Sequence, residues 1–325
     1  MSTTTLSLDD LLALRHQTPT LAKPTRFSQG STYGPFPSRY RGQGLDFDDL
    51  RQYYPGDDVR HIDWKVTARH QQTMTRLFSE ERDSTITLAV DFRRLMHTGT
   101  KALRAVIAGR LAAALAWYAV NRGQRVAVLA LTDNHIYSSL PLNGESGALK
   151  VCRTLCDAFP LESSTMNSLT DQSYSLNSLL DALLLGGRRV GSTVLMTGFD
   201  DLFDNSSATN LMQNMAVLQN KYQHHSQTLC AIQILDHAET APLPPGRYGY
   251  RIASTQTAST KNKSSVRKLH SSQRDALEKI LKEQMQRVTD LCNEQNINCI
   301  NHTGPTTEAS ISEIIRQLTN YSVLK

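Results

Sequence analysis

Short, continuous apolar runs alternate with stretches of helical periodicity through most of this chain. The runs Ile86 to Val90 (ending at Asp91), Arg125 to Leu131, Thr193 to Met196 and Thr228 to Leu235 (ending at Asp236) carry Val, Ile, Leu and Ala with little polar alternation. Strands covered on both faces have this pattern. Between and after them the 3.6-residue spacing predicts helices over Lys101 to Arg122 (closed by Gly123), Ser146 to Phe159, Leu176 to Leu185, Leu211 to Tyr222, Arg274 to Gln295 and Glu308 to Leu318. Asn134 to Leu140 reads as a hairpin partner, and Tyr248 to Ile252 and Ile297 to Ile300 as short strands. The strand–helix–strand rhythm predicts an α/β domain: a mainly parallel sheet with helices on both faces. Such a sheet works at its C-terminal strand ends, here Asp91, Thr132-Asp133, Thr197 to Asp201 and Asp236 to Glu239.

The first 84 residues differ. They are polar and turn-rich, with Gly30, Gly34, Pro35, Pro37, Gly42, Gly44, Pro55 and Gly56, and only Gln72 to Phe78 alternates as a strand would. The expected organisation is a tail over 1–26, a small β-containing appendage over 27–84, and the α/β domain over 85–325. Its stretch 253–272, almost all Ser, Thr, Gln and Lys, reads as a flexible insertion.

Composition narrows the function classes. Apolar residues make up 39% and charged residues 20%, enough for a sizeable core. Net charge is only +5, from 35 basic and 30 acidic side chains. No secretory signal pattern is present at the start, and the apolar stretch Ala102 to Val120 carries Arg104 and Arg110, so it reads as a buried amphipathic helix rather than a membrane span. Five scattered cysteines suit a reducing compartment, hence a cytoplasmic location, with membrane contact only through partners. Cys152 and Cys156 share a helix face but lack a second ligand pair at metal spacing. No phosphate loop or nucleophile elbow occurs, and Gly186-Gly187 precedes a strand, so no catalytic site and no cofactor are expected. The basic run Lys261, Lys263, Arg267, Lys268 could touch phosphates or an acidic partner, but it reads first as a solvated loop.

The segment Asp46 to Arg69 is the most distinctive. From Ser38 to Asp83 eight bases (Arg39, Arg41, Arg51, Arg60, Lys65, Arg69, Arg76, Arg82) face nine acids (Asp46, Asp48, Asp49, Asp57, Asp58, Asp63, Glu80, Glu81, Asp83). That balance argues against a nucleic-acid footprint and for an ion-paired scaffold with Trp64 as its apolar anchor. The run Tyr54-Pro55-Gly56-Asp57-Asp58-Val59-Arg60-His61-Ile62-Asp63-Trp64, continued by Ala68-Arg69, resembles the signature of domain-of-unknown-function family 58, DUF58. Members place it before a von Willebrand A-like (Rossmann-type) domain. The resemblance extends over roughly 27–255, through Asp200, Asp204, Asp236, Glu239 and Pro242.

The resemblance implies partnership with a MoxR-type AAA ATPase and an unknown client, in a chaperone or assembly role typical of bacterial gene pairs. Metal-binding von Willebrand A domains use Asp-x-Ser-x-Ser after the first core strand. This chain has Asp91-Phe92-Arg93-Arg94-Leu95, and Gly198 where a second aspartate would come. A hard cation needs several oxygen ligands, so the site at Asp91, Arg93, Leu95 and Gly198 is expected to be degenerate, with Arg93 in the cation's place. Recognition is expected at Asp91, Arg93, Arg94, Met96, Phe199, Asp200 and Asp201, with Asp57 to Trp64 holding the appendage. A cation-dependent ligand-binding domain and a binder of nucleic acid or an acidic partner through 261–268 are the alternatives.

Overall fold

The computed structural model describes residues 3–17, 41–54, 58–70, 72–79, 84–159, 174–186, 191–203, 205–224, 227–240, 246–251, 264–269 and 271–324. The chain divides into two compact units, one of residues 1–21 with 85–325 and one of 22–84.

In the larger unit six strands form one sheet: β3 (Thr85–Asp91), β4 (Arg125–Leu131), β5 (Ile136–Ser138), β6 (Ser192–Thr197), β7 (Leu229–Leu235) and β10 (Asn298–Thr303). Their order is β10-β7-β6-β3-β4-β5, parallel except for the antiparallel edge strand β5. The apolar runs become the central strands because both of their faces are covered. Leu88, Val90, Val128, Val194 and Ile232 point into one apolar layer, and Ala89, Leu131, Leu195 and Ala231 into the other. The first layer holds α3 (Arg104–Asn121), α4 (Gly144–Ala158) and α9 (Glu308–Asn320). The second holds α5 (Leu176–Leu185), α6 (Asn205–His224) and α8 (Ser271–Glu294). From β3 the chain moves outward to β4 and β5, then returns to β6 on β3's other side. The crevice above β3 and β6 is therefore the topological switch point, where open α/β sheets gather polar groups.

Two expectations change. Within the stretch expected to be a tail, Leu8–Ala13 form helix α1, capped by Ser7 Oγ accepting from the Asp10 amide at 3.2 Å, and Leu6, Leu11 and Leu14 are buried. This segment lies on α3: Trp117 donates Nε1–H to the Leu11 carbonyl at 3.1 Å, and Leu6 Cδ2 lies 2.9 Å from where a Cβ on Gly109 would be. Consequently α3 is not amphipathic. It is buried from Arg104 through Val120, as a helix that is apolar all round must be. Second, part of the expected insertion is ordered. Ser264–Leu269 (β9) pairs antiparallel with β8 (Gly246–Arg251), and α8 starts at Ser271. The run Ser-Ser-Val-Arg-Lys-Leu reads as loop because no apolar alternation marks it in the sequence. Residues 252–263 lie outside the described residues. Among the described residues no helix is long and apolar enough to cross a membrane.

The smaller unit is built on the antiparallel pair β1 (Arg41–Gln52) and β2 (Met74–Ser79), with helix α2 (Trp64–His70) in the connection between them.

Candidate functional site

At the switch point the strand ends bring carboxylates together, and two arginines neutralise part of that charge. Asp91, the last residue of β3, is fully buried. Its Oδ1 accepts from the Arg93 amide at 3.0 Å and from Arg93 Nε at 2.9 Å, and its Oδ2 from Arg93 Nη2 at 2.7 Å and Thr197 Oγ1 at 2.8 Å. The opposite edge of the same guanidinium reaches Asp201, Nη1 to Oδ1 at 2.9 Å and Nη2 to Oδ2 at 2.6 Å. Arg93 thus bridges two carboxylates with paired contacts on each, the geometry that makes guanidinium–carboxylate bonds strong. Burial works against its charge, but Asp91 and Asp201 outweigh burial and hold its pKa above the ordinary arginine value.

Arg104 makes a second nest. It stands in the first turn of α3, where the helix dipole disfavours a cation, and carboxylates compensate. Its Nη2 lies 3.1 Å from Asp200 Oδ2 and 2.7 Å from the Leu95 carbonyl, Nε donates to Thr98 Oγ1 at 3.1 Å, and Nη1 is 3.6 Å from Glu239 Oε1. Gly198 makes room for it: a Cβ there would lie 2.5 Å from Arg104 Nη1 and 2.6 Å from Asp200 Oδ2. Phe199 follows with φ 58°, a left-handed turn at a buried non-glycine residue, and it leads into the 3-10 turn Asp200–Phe203 that supplies both aspartates. Burial raises the pKa of Asp200 and of Glu239, with Arg104 opposing it in each case.

The rim continues at β7. Asp236 Oδ1 accepts from the Thr100 amide at 2.8 Å and Thr100 Oγ1 at 3.0 Å, while Glu239 Oε2, from helix α7 (His237–Thr240), accepts from the Asp236 amide at 2.9 Å. On the β4 side Asp133 Oδ2 accepts from the Arg94 amide at 3.0 Å. His97 shares a 3.1 Å hydrogen bond with the Phe92 carbonyl, and burial lowers its pKa. Among the described residues no group of three or more His, Cys, Asp or Glu could hold a metal ion.

The residues expected at the site are therefore unequal. Asp91, Arg93 and Asp201 come together. Asp200 joins Arg104, which the sequence reading placed only inside a helix. An arginine in a first helical turn is the signal that could have found it, because such a residue needs a carboxylate neighbour. Leu95 contributes its carbonyl. Met96 and Phe199 are fully buried, so neither offers its side chain to a partner; Arg94 is half-buried.

The signature segment departs from expectation more sharply. Pro55, Gly56 and Asp57 lie outside the described residues. Asp58 caps a 3-10 turn, Oδ1 accepting from the Arg60 amide at 3.0 Å, and pairs with Arg60 Nη2 at 3.0 Å. Asp63 caps α2, accepting from the Lys65 and Val66 amides at 3.0 and 3.1 Å, and its own amide donates to the Met74 carbonyl at 2.9 Å. Trp64 is not an anchor. It is 69% exposed, with Tyr54 at 60% and Val59 at 61%. The physical reason is local: α2 (Trp-Lys-Val-Thr-Ala-Arg-His) is short and mostly polar, and carries no apolar stripe that would turn Trp64 inward. Arg69 is exposed on the same helix. Of the basic run, Lys261 and Lys263 lie outside the described residues, and Arg267 and Lys268 fall in β9, opposite Tyr248 and Arg247.

Comparison with known proteins identifies one family. The model of the family described as "Protein of unknown function DUF58" matches residues 49–287 of the 325. A 59-residue stretch, 18% of this chain, is 39% identical to the uncharacterized proteins Mb1516 of Mycobacterium bovis and Rv1480 of Mycobacterium tuberculosis. The match spans 19% of the length of each of those relatives.

Proposed function

The chain belongs to the DUF58 family, and from that premise we propose that it is a non-catalytic adaptor: a von Willebrand A-like domain that works with a MoxR-type AAA ATPase, in the cytoplasm, to present a client protein for assembly or activation. The observation that carries this reading is the Arg93 guanidinium seated between Asp91 and Asp201. It fills the strand-end position where a domain of this kind would hold a cation, and it leaves those polar groups bonded to one another rather than poised for chemistry. A rim closed in this way serves as a rigid base for binding. Among the large apolar side chains exposed on the described residues, Val59 and Trp64 stand close together in the signature run, near the exposed Tyr54. Large exposed apolar side chains gathered in one short segment suit recognition better than stability.

The test is direct binding between the purified chain and the MoxR-type ATPase of the same organism, with ATP, with ADP and without nucleotide. Nucleotide-sensitive association that weakens at least tenfold in Trp64→Ala supports the reading. Absence of association in every nucleotide state overturns it.

A further inference from the structure

The positive charge of the chain is unevenly placed. From Ala241 to Arg274 there is no Asp or Glu, while seven of the 35 basic side chains fall there, Arg247, Arg251, Arg267 and Lys268 among them. Outside this stretch 28 basic side chains face 30 acidic ones, so the protein's net positive charge comes from here. The fold joins the two flanks of the stretch into an antiparallel ribbon. β8 pairs with β9 in the register Arg247 to Lys268, Tyr248 to Arg267, Tyr250 to Ser265 and Arg251 to Ser264. Among the described residues no third strand extends this two-stranded sheet.

Positions paired directly across an antiparallel ladder share a face, and so do positions two apart on one strand. The register therefore sorts the ribbon. Arg247, Arg251 and Lys268 fall on one face, and Tyr248, Tyr250 and Arg267 on the other. A ribbon that served only as structure would gain nothing from this sorting. Like charges paired directly across, as Arg247 and Lys268 are, destabilise a ladder, and the stretch holds no acid to offset them. An approaching anion would. The tyrosines, about 6.8 Å apart along β8 at the antiparallel rise, form an aromatic row with a cation beside it. The run Lys261 to Lys268 has no aromatic interleaved; the register supplies two from the neighbouring strand.

We infer that the β8–β9 ribbon binds single-stranded nucleic acid. Bases stack on Tyr248 and Tyr250, and Arg247, Arg251, Arg267 and Lys268 draw in the phosphate backbone. Aromatic rows flanked by cations hold single strands because every base offers a π-face. A duplex keeps its bases stacked on one another, and an acidic polypeptide would use the charges but not the row. The ribbon contains neither the rim nor the signature run, so this site stands whether or not the adaptor reading does.

The test is fluorescence anisotropy of the full chain with labelled oligo(dT) and oligo(U), beside a duplex of equal length and labelled poly-glutamate. At roughly 0.7 per phosphate, four contacts give a slope of about −2.8 in log affinity against log salt, so single-strand binding should weaken about fiftyfold from ~50 to ~200 mM salt. Arg247→Gln with Lys268→Gln should cut that slope by about half, and it removes the like-charge pair, so the ribbon itself is not weakened. Tyr250→Ala should weaken binding about tenfold at unchanged slope, and Tyr250→Phe should restore it. Binding of both single strands, or of one alone, supports the site and shows which sugar it prefers. Absence of binding to either at the lowest salt overturns it. So does equal or tighter binding of the duplex or of poly-glutamate with no effect of Tyr250→Ala, which would assign the ribbon to duplex nucleic acid or to an acidic protein.

Discussion

The two tryptophans of the chain occupy opposite surroundings, and the charges near them divide in the same way. Trp117 is buried in α3, hydrogen-bonded to the Leu11 carbonyl, with the Arg15 guanidinium 5.5 Å from its ring centre. Trp64 opens α2 with 69% of its surface exposed. In Trp117's unit Asp91 and Arg93 are buried and bonded to each other through paired contacts. Beside Trp64 the Asp58–Arg60 pair stands in solvent, its side chains 38% and 85% exposed. A buried ion pair must be complete, because a lone charge there has lost its water. An exposed pair is screened and adds little to stability. One region therefore uses charge to fix the fold, and the other leaves its most distinctive side chains at the surface.

The sharpest way to break this comparison is to empty the buried pair. Arg93→Ala strands Asp91 and Asp201, and denaturant unfolding should show a loss of ~3–5 kcal/mol. Replacing Asp91, Arg93 and Asp201 together with Asn, Met and Asn should recover much of it, because no unpaired charge of this bridge remains. A small effect from the single substitution would mean that water reaches the site. Gly198→Ala comes next, at about 1–3 kcal/mol, because the added methyl meets Arg104 and Asp200; Arg104 moving aside without cost would appear as an unchanged midpoint.

A pH experiment probes the same rim. Asp200 and Glu239 have folded pKa values raised by burial. Their contribution is thus full below the ordinary carboxylate value and is lost as pH rises through the raised one. Asp200→Asn should flatten the stability profile across that window, as read from urea midpoints; an unaltered slope would assign the dependence to other groups. Trp64→Ala should have the smallest effect on stability, within about 0.5 kcal/mol, while carrying the largest effect on partner binding. A destabilisation of several kcal/mol would place Trp64 in a core after all.

The same contrast explains what the sequence could and could not disclose. β4 and α5 match the predicted spans residue for residue, because strands buried on two faces and a capped apolar helix advertise themselves through local spacing. The burial of α3 on every side was illegible, because it depends on Leu6, Leu11 and Leu14 returning from about 100 residues away. At the rim the Asp91–Arg93 pair is two residues apart and could be anticipated. The roles of Arg104 and Gly198 depend on each other across the switch point, and Gly198 alone looked like a lost ligand. Trp64 misled for another reason: residue type suggested a core, while the short polar helix around it supplied none.

The central claim is that guanidinium groups, rather than a divalent cation, complete the strand-end rim. The most direct measurement is the thermal unfolding midpoint of the wild-type chain over a Mg²⁺ titration, compared with an EDTA-treated sample and with Asp91→Asn. The account predicts one midpoint for the wild type at every Mg²⁺ concentration beyond the general effect of ionic strength. A midpoint that climbs and saturates with Mg²⁺, and does so only while Asp91 is present, would contradict it.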